Sequence, residues 1–174
     1  YPAGREIEEL AKTGNDQAHK MPIMRLGSKD YNFSYSGLKT HLKGVLDGES
    51  ANQGEETYSQ DFLSDLCASF QREVFDQIVR KISLYLENNN GLQSIVIGGG
   101  VSANQVLRNK IKESCSLPVY FPEKKYCSDN AAMIASYAYY EYSSEVDKTK
   151  FTNHRCWDPY SRYPFQKMFN TETN

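Results

Sequence analysis

No run in this 174-residue chain approaches the roughly 20 apolar residues of a membrane-spanning helix, so no membrane partner is expected. No CxxC pair occurs among Cys67, Cys115, Cys127 and Cys156, which argues against a zinc knuckle. A chain of this length builds its own core, so the cysteines read as reduced thiols of an intracellular protein rather than as staples. His19, His41 and His154 show neither HxxxH nor HExxH spacing, and each reads as a surface or packing residue. G-x-S-x-G, G-x-G-x-x-G and the Walker P-loop are also missing, which removes a hydrolase nucleophile elbow and the two commonest phosphate cradles. Neither sign of charge dominates: 20 Lys and Arg face 22 Asp and Glu, the formal net charge is −2 and the pI is about 6.0. That excludes binding nucleic acid by bulk charge and leaves room for a local basic patch. An initiator Met is missing too. The chain opens Tyr1-Pro2-Ala3-Gly4 with no signal or transit pattern, and reads as part of a longer polypeptide.

What is present is an alternation of helices and strands. Residues 6–12 have helical spacing, with Ile7, Leu10 and Ala11 on one face. Residues 13–30 are polar, contain Pro22 and Gly27, and read as a loop. A short strand is expected near Asn32, then a helix capped by Ser36 and running towards Leu46, then an exposed loop over 47–56. The clearest helix is 61–87. Phe62, Leu66, Phe70, Val74, Ile78, Ile82 and Leu86 recur every four residues, and Leu63, Cys67, Phe75 and Val79 widen that stripe. Asn88-Asn89-Asn90-Gly91 suits a left-handed cap. Buried parallel strands are expected at 94–97 and 117–121, with helices at 102–114 and 129–143. The order predicts an α/β fold with a largely parallel sheet.

Two constellations carry chemistry. Ile97-Gly98-Gly99-Gly100-Val101 joins a strand to a helix. In open α/β sheets, ligands collect at the carboxyl ends of strands, and glycine lets backbone approach them closely. Asn104 is expected in the first turn of the helix, with its amide turned to a ligand. A tight turn without a ligand satisfies the same residues, so the glycines do not name the ligand. Cys127-Ser128-Asp129-Asn130 leads into the next helix, where Asp129 is either its N-cap or a hard ligand for a divalent ion.

Four segments in order then resemble one family: Tyr1-Pro2-Ala3-Gly4; Phe33-Ser34-Tyr35-Ser36-Gly37-Leu38-Lys39-Thr40; Gly99-Gly100-Val101-Ser102-Ala103-Asn104 with Leu107-Arg108; and Cys127-Ser128-Asp129-Asn130-Ala131-Ala132-Met133-Ile134-Ala135. Together they look like the C-terminal half of the TsaD family of tRNA N6-adenosine threonylcarbamoyltransferases. The Ser-Gly-Leu-Lys-Thr form resembles the bacterial and organellar branch. The resemblance implies an actin-like ATPase (ASKHA) fold of two α/β lobes. Residues 1–145 would be the C-terminal lobe, with a mainly parallel sheet flanked by helices. Residues 146–174 would be an irregular tail, and the N-terminal metal-binding lobe would lie outside this chain.

The resemblance further implies that Gly4, Glu8, Gly99, Gly100 and Asn104 line a pocket for an adenine nucleotide or threonylcarbamoyl-AMP. Asp129 would be one ligand of a divalent ion, iron or zinc, whose paired histidines belong to the N-terminal half. Ser36 and Lys39 are diagnostic and carry no assigned role. Two departures stand out: Ala3 where the family usually has glycine, and Glu8 where it often has aspartate. The implied partners are tRNA and either a second copy or the partner proteins of a threonylcarbamoyl-transfer complex. The compartment would be the cytoplasm of a bacterium, or a mitochondrion or other organelle of a eukaryote. Without the other lobe, the chain alone is expected to be inactive. The rival readings are another actin-like ATPase or sugar kinase, and a non-catalytic scaffold subunit.

Overall fold

The computed structural model describes residues 3–23, 31–53 and 58–144. The first two residues, much of the 13–30 loop beyond Ile23, and the tail with His154, Cys156 and Trp157 lie outside them. Five helices and one strand pair are described: α1 (Ala3–Ala11), α2 (Ser36–Gln53), α3 (Gln60–Asn88), β1 (Ile95–Val96), α4 (Gln105–Ser114), β2 (Val119–Tyr120) and α5 (Ala131–Ser144). The chain forms two compact units, one ending at Asp129 and one beginning at Asn130. In the second unit, α5 starts from Asn130, whose side-chain oxygen accepts a 2.9 Å hydrogen bond from the Met133 backbone.

Helix α3 organises the first unit. Ser59 caps it, its hydroxyl accepting from Phe62 N at 3.2 Å, an arrangement worth about 1 kcal/mol. The four-residue stripe feeds two clusters. Towards the start of α3, Leu66 packs with Met21 and Leu38, with Leu42, Leu46, Phe62 and Phe70 around them. Further along, Phe75 packs with Leu107 and Ile111 of α4, joined by Ile97, Val119 and Phe121. Val74 touches both clusters, so one helix ties α2 at one end to α4 and the strands at the other. Each fully buried side chain of this kind contributes about 1.5–3 kcal/mol.

At the end of α3 the positive φ falls on Gly91, at +91°, while Asn88 and Asn89 donate their amides back to Leu84 O and Tyr85 O at 2.7 and 2.8 Å. The expected left-handed cap is not formed: Asn89, the C-cap, is extended with φ −133° and ψ 103°, and the positive φ comes two residues later.

Local expectations are corrected at four further places. Helix α2 continues to Gln53 through the segment read as a loop. Val45 and Leu46 pack on the first cluster there, and Tyr58 donates to Leu46 O and pairs with Ser50 Oγ, which holds the extra turns in place. Ser36 opens α2 without capping it, since Tyr35 O accepts from Lys39 N, and the segment around Asn32 is not a strand. The strands are shorter than expected and covered on one face only. They do pair in parallel, Ile95 with Val119 and Val96 with Tyr120. Ile97, Val119 and Phe121 point to the α3/α4 cluster, whereas Val96 and Tyr120 are 77% and 59% exposed. A parallel sheet buried on both faces needs a second covering layer, which the described residues do not supply.

Candidate functional site at the glycine turn

The turn begins where β1 ends. Ile97 N donates to Tyr120 O at 3.0 Å, which seats the strand end, and three glycines follow. Gly99 has φ +91° and ψ 167°, a conformation essentially reserved for glycine. A single 3-10 turn, Gly100–Ala103, comes next, with Ser102 N donating to Gly99 O at 2.9 Å and Ser102 Oγ to the same oxygen at 2.7 Å. A methyl group built on Gly98, Gly99 or Gly100 meets nothing within 4 Å. The space before the turn is therefore open, and backbone groups face it without intervening side chains.

Asn104 closes the turn. It is the N-cap of α4 rather than a residue of its first helical turn, and only 7% of it is exposed. Its Oδ1 accepts from Leu107 N at 3.1 Å, and its Nδ2 donates to Gln71 Oε1 on α3 at 2.9 Å. The amide expected to face a ligand is thus committed to holding the turn against α3, leaving one N–H of the amide beyond these bonds.

Behind the turn, half-buried Arg108 and buried Cys127 complete a polar knot. Arg108 Nε donates to Ser102 O at 2.6 Å, and its Nη2 donates to Pro122 O at 2.7 Å and to Cys127 Sγ at 3.2 Å. Ser102 Oγ lies 3.3 Å from the same sulfur. The guanidinium sits 5.0 Å from the centre of the Phe121 ring, a favourable stacking distance for a cation. Cys127 is buried and, with Cys67 and Cys115, is a free thiol. Burial pushes the Cys67 and Cys115 thiols up, so neither is primed as a nucleophile.

Among the described residues, the structure brings Gly99, Gly100 and Asn104 into one turn and ties it to the segment that ends at Asp129. Gly4 and Glu8 stand on α1, which packs along α3, and no hydrogen bond or ion pair joins them to the turn. Gly4 is exposed with open space at its Cα, and Glu8 is half-buried. Asp129 is exposed and does not cap α5, because Asn130 does. That settles one of its two sequence readings and leaves its carboxylate uncommitted to the helix. No group of three or more His, Cys, Asp or Glu side chains converges among the described residues. Asp129 alone does not make a metal site.

Ser36 and Lys39 are exposed on the first turn of α2. A cavity of about 300 Å³, lined by Tyr31, Phe33, Ile82, Tyr85, Leu92 and Ile95 among others, contains none of the predicted site residues. Sequence reasoning missed Gln71 and the long reach of Arg108. Neither has a local signal beyond the Leu107-Arg108 motif.

Comparison with known proteins adds the missing context. The family model described as TsaD, tRNA N6-adenosine threonylcarbamoyltransferase, matches residues 1–136. A curated protein of that name from Caldicellulosiruptor saccharolyticus is 39% identical over 145 residues, 81% of this chain and 40% of the relative. One from Treponema denticola is 40% identical over 157 residues, covering 87% of this chain and 44% of the relative. One from Fervidobacterium nodosum is 44% identical over 138 residues, covering 78% and 40%. The chain therefore spans well under half the length of these relatives. Among the described residues no helix is long and apolar enough to cross a membrane. With its strand, open glycine turn and capped helix matched within residues 1–136, the chain belongs to the TsaD family.

Proposed function

We propose that the full-length protein carrying this chain transfers a threonylcarbamoyl group from threonylcarbamoyl-AMP to the N6 amine of an adenosine beside the tRNA anticodon. Membership of a family of that name supports the reading. The observation that carries it into this chain is the open turn Gly98-Gly99-Gly100, with free space before each glycine and Asn104 fixing its far end. Such a turn admits a nucleotide against bare backbone. In this reading residues 1–145 are the C-terminal lobe of an actin-like fold. Gly99 and Gly100 form one wall of the adenylate pocket, Asn104 frames that wall, and Gly4 and Glu8 line the same pocket from α1.

The chemistry is acyl transfer. The adenosine amine attacks the carbamoyl carbonyl carbon, AMP departs with the bonding electrons of the mixed anhydride, and the amine loses a proton. What this chain contributes is placement: it holds the adenylate so that carbonyl and amine meet in line. The described residues do not form a metal site on their own. We assign Asp129 as a single carboxylate ligand of an iron or zinc ion whose other ligands come from outside this chain. The partners are tRNA and either a second copy or other proteins of the transfer complex. The 174-residue chain alone is expected to bind metal weakly and to transfer nothing.

The test is a transfer assay with threonylcarbamoyl-AMP and unmodified tRNA. Modified adenosine is expected with the full-length protein and not with the 174-residue chain. ATP hydrolysis or sugar phosphorylation without carbamoyl transfer would replace this reading with another actin-like enzyme.

A further inference from the structure

We propose that Arg108 is a positioning residue, a clamp that fixes the glycine turn against the segment 122–127 and so sets the shape of the nucleotide wall. The inference rests on the adenylate reading of the turn. Arg108 stands one helical turn into α4, and its single side chain contacts two backbone carbonyls and one side-chain sulfur. Its Nε takes the carbonyl of Ser102, inside the 3-10 turn, at 2.6 Å. Its Nη2 takes the carbonyl of Pro122, just past β2, at 2.7 Å, and the sulfur of Cys127 at 3.2 Å. Ser102 passes the restraint on, since its hydroxyl donates to Gly99 O at 2.7 Å. The chain of contacts therefore runs from Pro122 and Cys127 through one guanidinium to the glycine whose φ is +91°.

The need for such a clamp follows from the turn itself. Gly98, Gly99 and Gly100 have no side chains to pack, and open space lies before them. Glycine backbone is also the least restrained of any residue. Something behind the turn must hold it if it is to present a fixed surface to a ligand. A planar fork with donors on fixed vectors does this, and the Phe121 ring, centred 5.0 Å from the guanidinium carbon, adds a cation–π contact. A lysine at the same place keeps charge and stem, but has neither the second donor vector nor the flat face. Arg108 touches no substrate in this account and acts only through the turn.

The test uses the full-length protein, with Arg108→Lys as the main variant and Cys127→Ala as a second variant that removes one contact and spares the guanidinium. Arg108→Lys is expected to raise the KM for threonylcarbamoyl-AMP, and the dissociation constant for AMP, by about ten-fold or more, with kcat little changed. Loss of folded protein alone lowers apparent kcat and leaves KM where it was, so the split separates positioning from bulk destabilisation. Amide hydrogen exchange supplies a readout independent of activity. Residues 99–104 and 122–127 should both exchange faster in Arg108→Lys, with the centre of α3 unchanged and Cys127→Ala showing a smaller effect in the same two segments. Unchanged KM and AMP affinity, or faster exchange in only one segment, overturns the clamp. If the wild-type protein neither binds AMP nor transfers threonylcarbamoyl, the adenylate reading fails, and exchange alone then decides whether the clamp exists.

Discussion

Two glycine-bearing loops pack against the same helical frame, and they use glycine for opposite reasons. Gly14 follows α1, where the chain turns down onto α3. A Cβ there would lie 2.0 Å from Ser64 O and 2.7 Å from Asp65 N, so glycine is needed because backbone lies against backbone. The surrounding loop is latched shut: Asn15 N donates to Asp65 Oδ1 at 2.7 Å, and His19 N donates to Ser69 Oγ at 3.1 Å. Thr13 Oγ1 and Ser64 Oγ add a third contact at 3.3 Å. At 98–100 the three glycines face nothing within 4 Å, and their restraint comes from Asn104, Ser102 and Arg108 on the far side. The first loop is closed by its packing, and the second is held open with its back fixed. Composition does not separate the two cases. The neighbours do.

That contrast orders the expected effects of substitution. Gly14→Ala should be the most damaging to stability, because the methyl group meets backbone that cannot step aside; a loss of about 3 kcal/mol is expected, read from thermal unfolding of the full-length protein. A loss below about 0.5 kcal/mol would mean that the loop does not lie on α3 as described. Gly99→Ala comes next, at about 2 kcal/mol, from the backbone conformation alone and with no steric clash. Asn104→Ala removes the cap of α4 and leaves the half-buried Gln71 amide without its partner, at a cost of about 1–2 kcal/mol. It should also weaken AMP binding, and unchanged affinity would remove Asn104 from the pocket. Gly100→Ala should be nearly silent in stability, within about 0.5 kcal/mol, because its φ is ordinary and the space before it is empty.

The stripe that gave α3 was legible because every fourth residue from Phe62 to Leu86 is apolar. The observed helix extends past the expected 61–87 by a single residue at each end. The polar positions interleaved with that stripe were not legible. Ser64, Ser69, Glu73 and Gln77 are all buried, although their polarity reads as a solvated face. Ser64 and Ser69 meet the 13–19 loop, Gln77 Nε2 donates to Ser34 O at 3.3 Å, and Glu73 pairs with Arg80 on the same helix. Periodicity reports apolar contacts and is silent about polar faces covered by distant loops. The same limit applies at the site. The glycine turn and its strand were visible locally, as was the helix that follows. The role of Arg108 was not, because its partners at Pro122 and Cys127 lie 14 and 19 residues further along the chain. The cap of α5 shows how near neighbours compete: Asp129 and Asn130 are both good N-cap residues, and only placement decides for Asn130.

The most direct test of the open turn is the affinity of the full-length Gly100→Ala protein for AMP, measured by calorimetry beside its melting temperature. If the turn is the wall of an adenylate pocket, the added methyl group stands where the nucleotide must approach. Melting should then be unchanged and AMP should bind about ten-fold more weakly. An affinity within about two-fold of wild type, with melting unchanged, would show that the space before the glycines is not where the nucleotide sits.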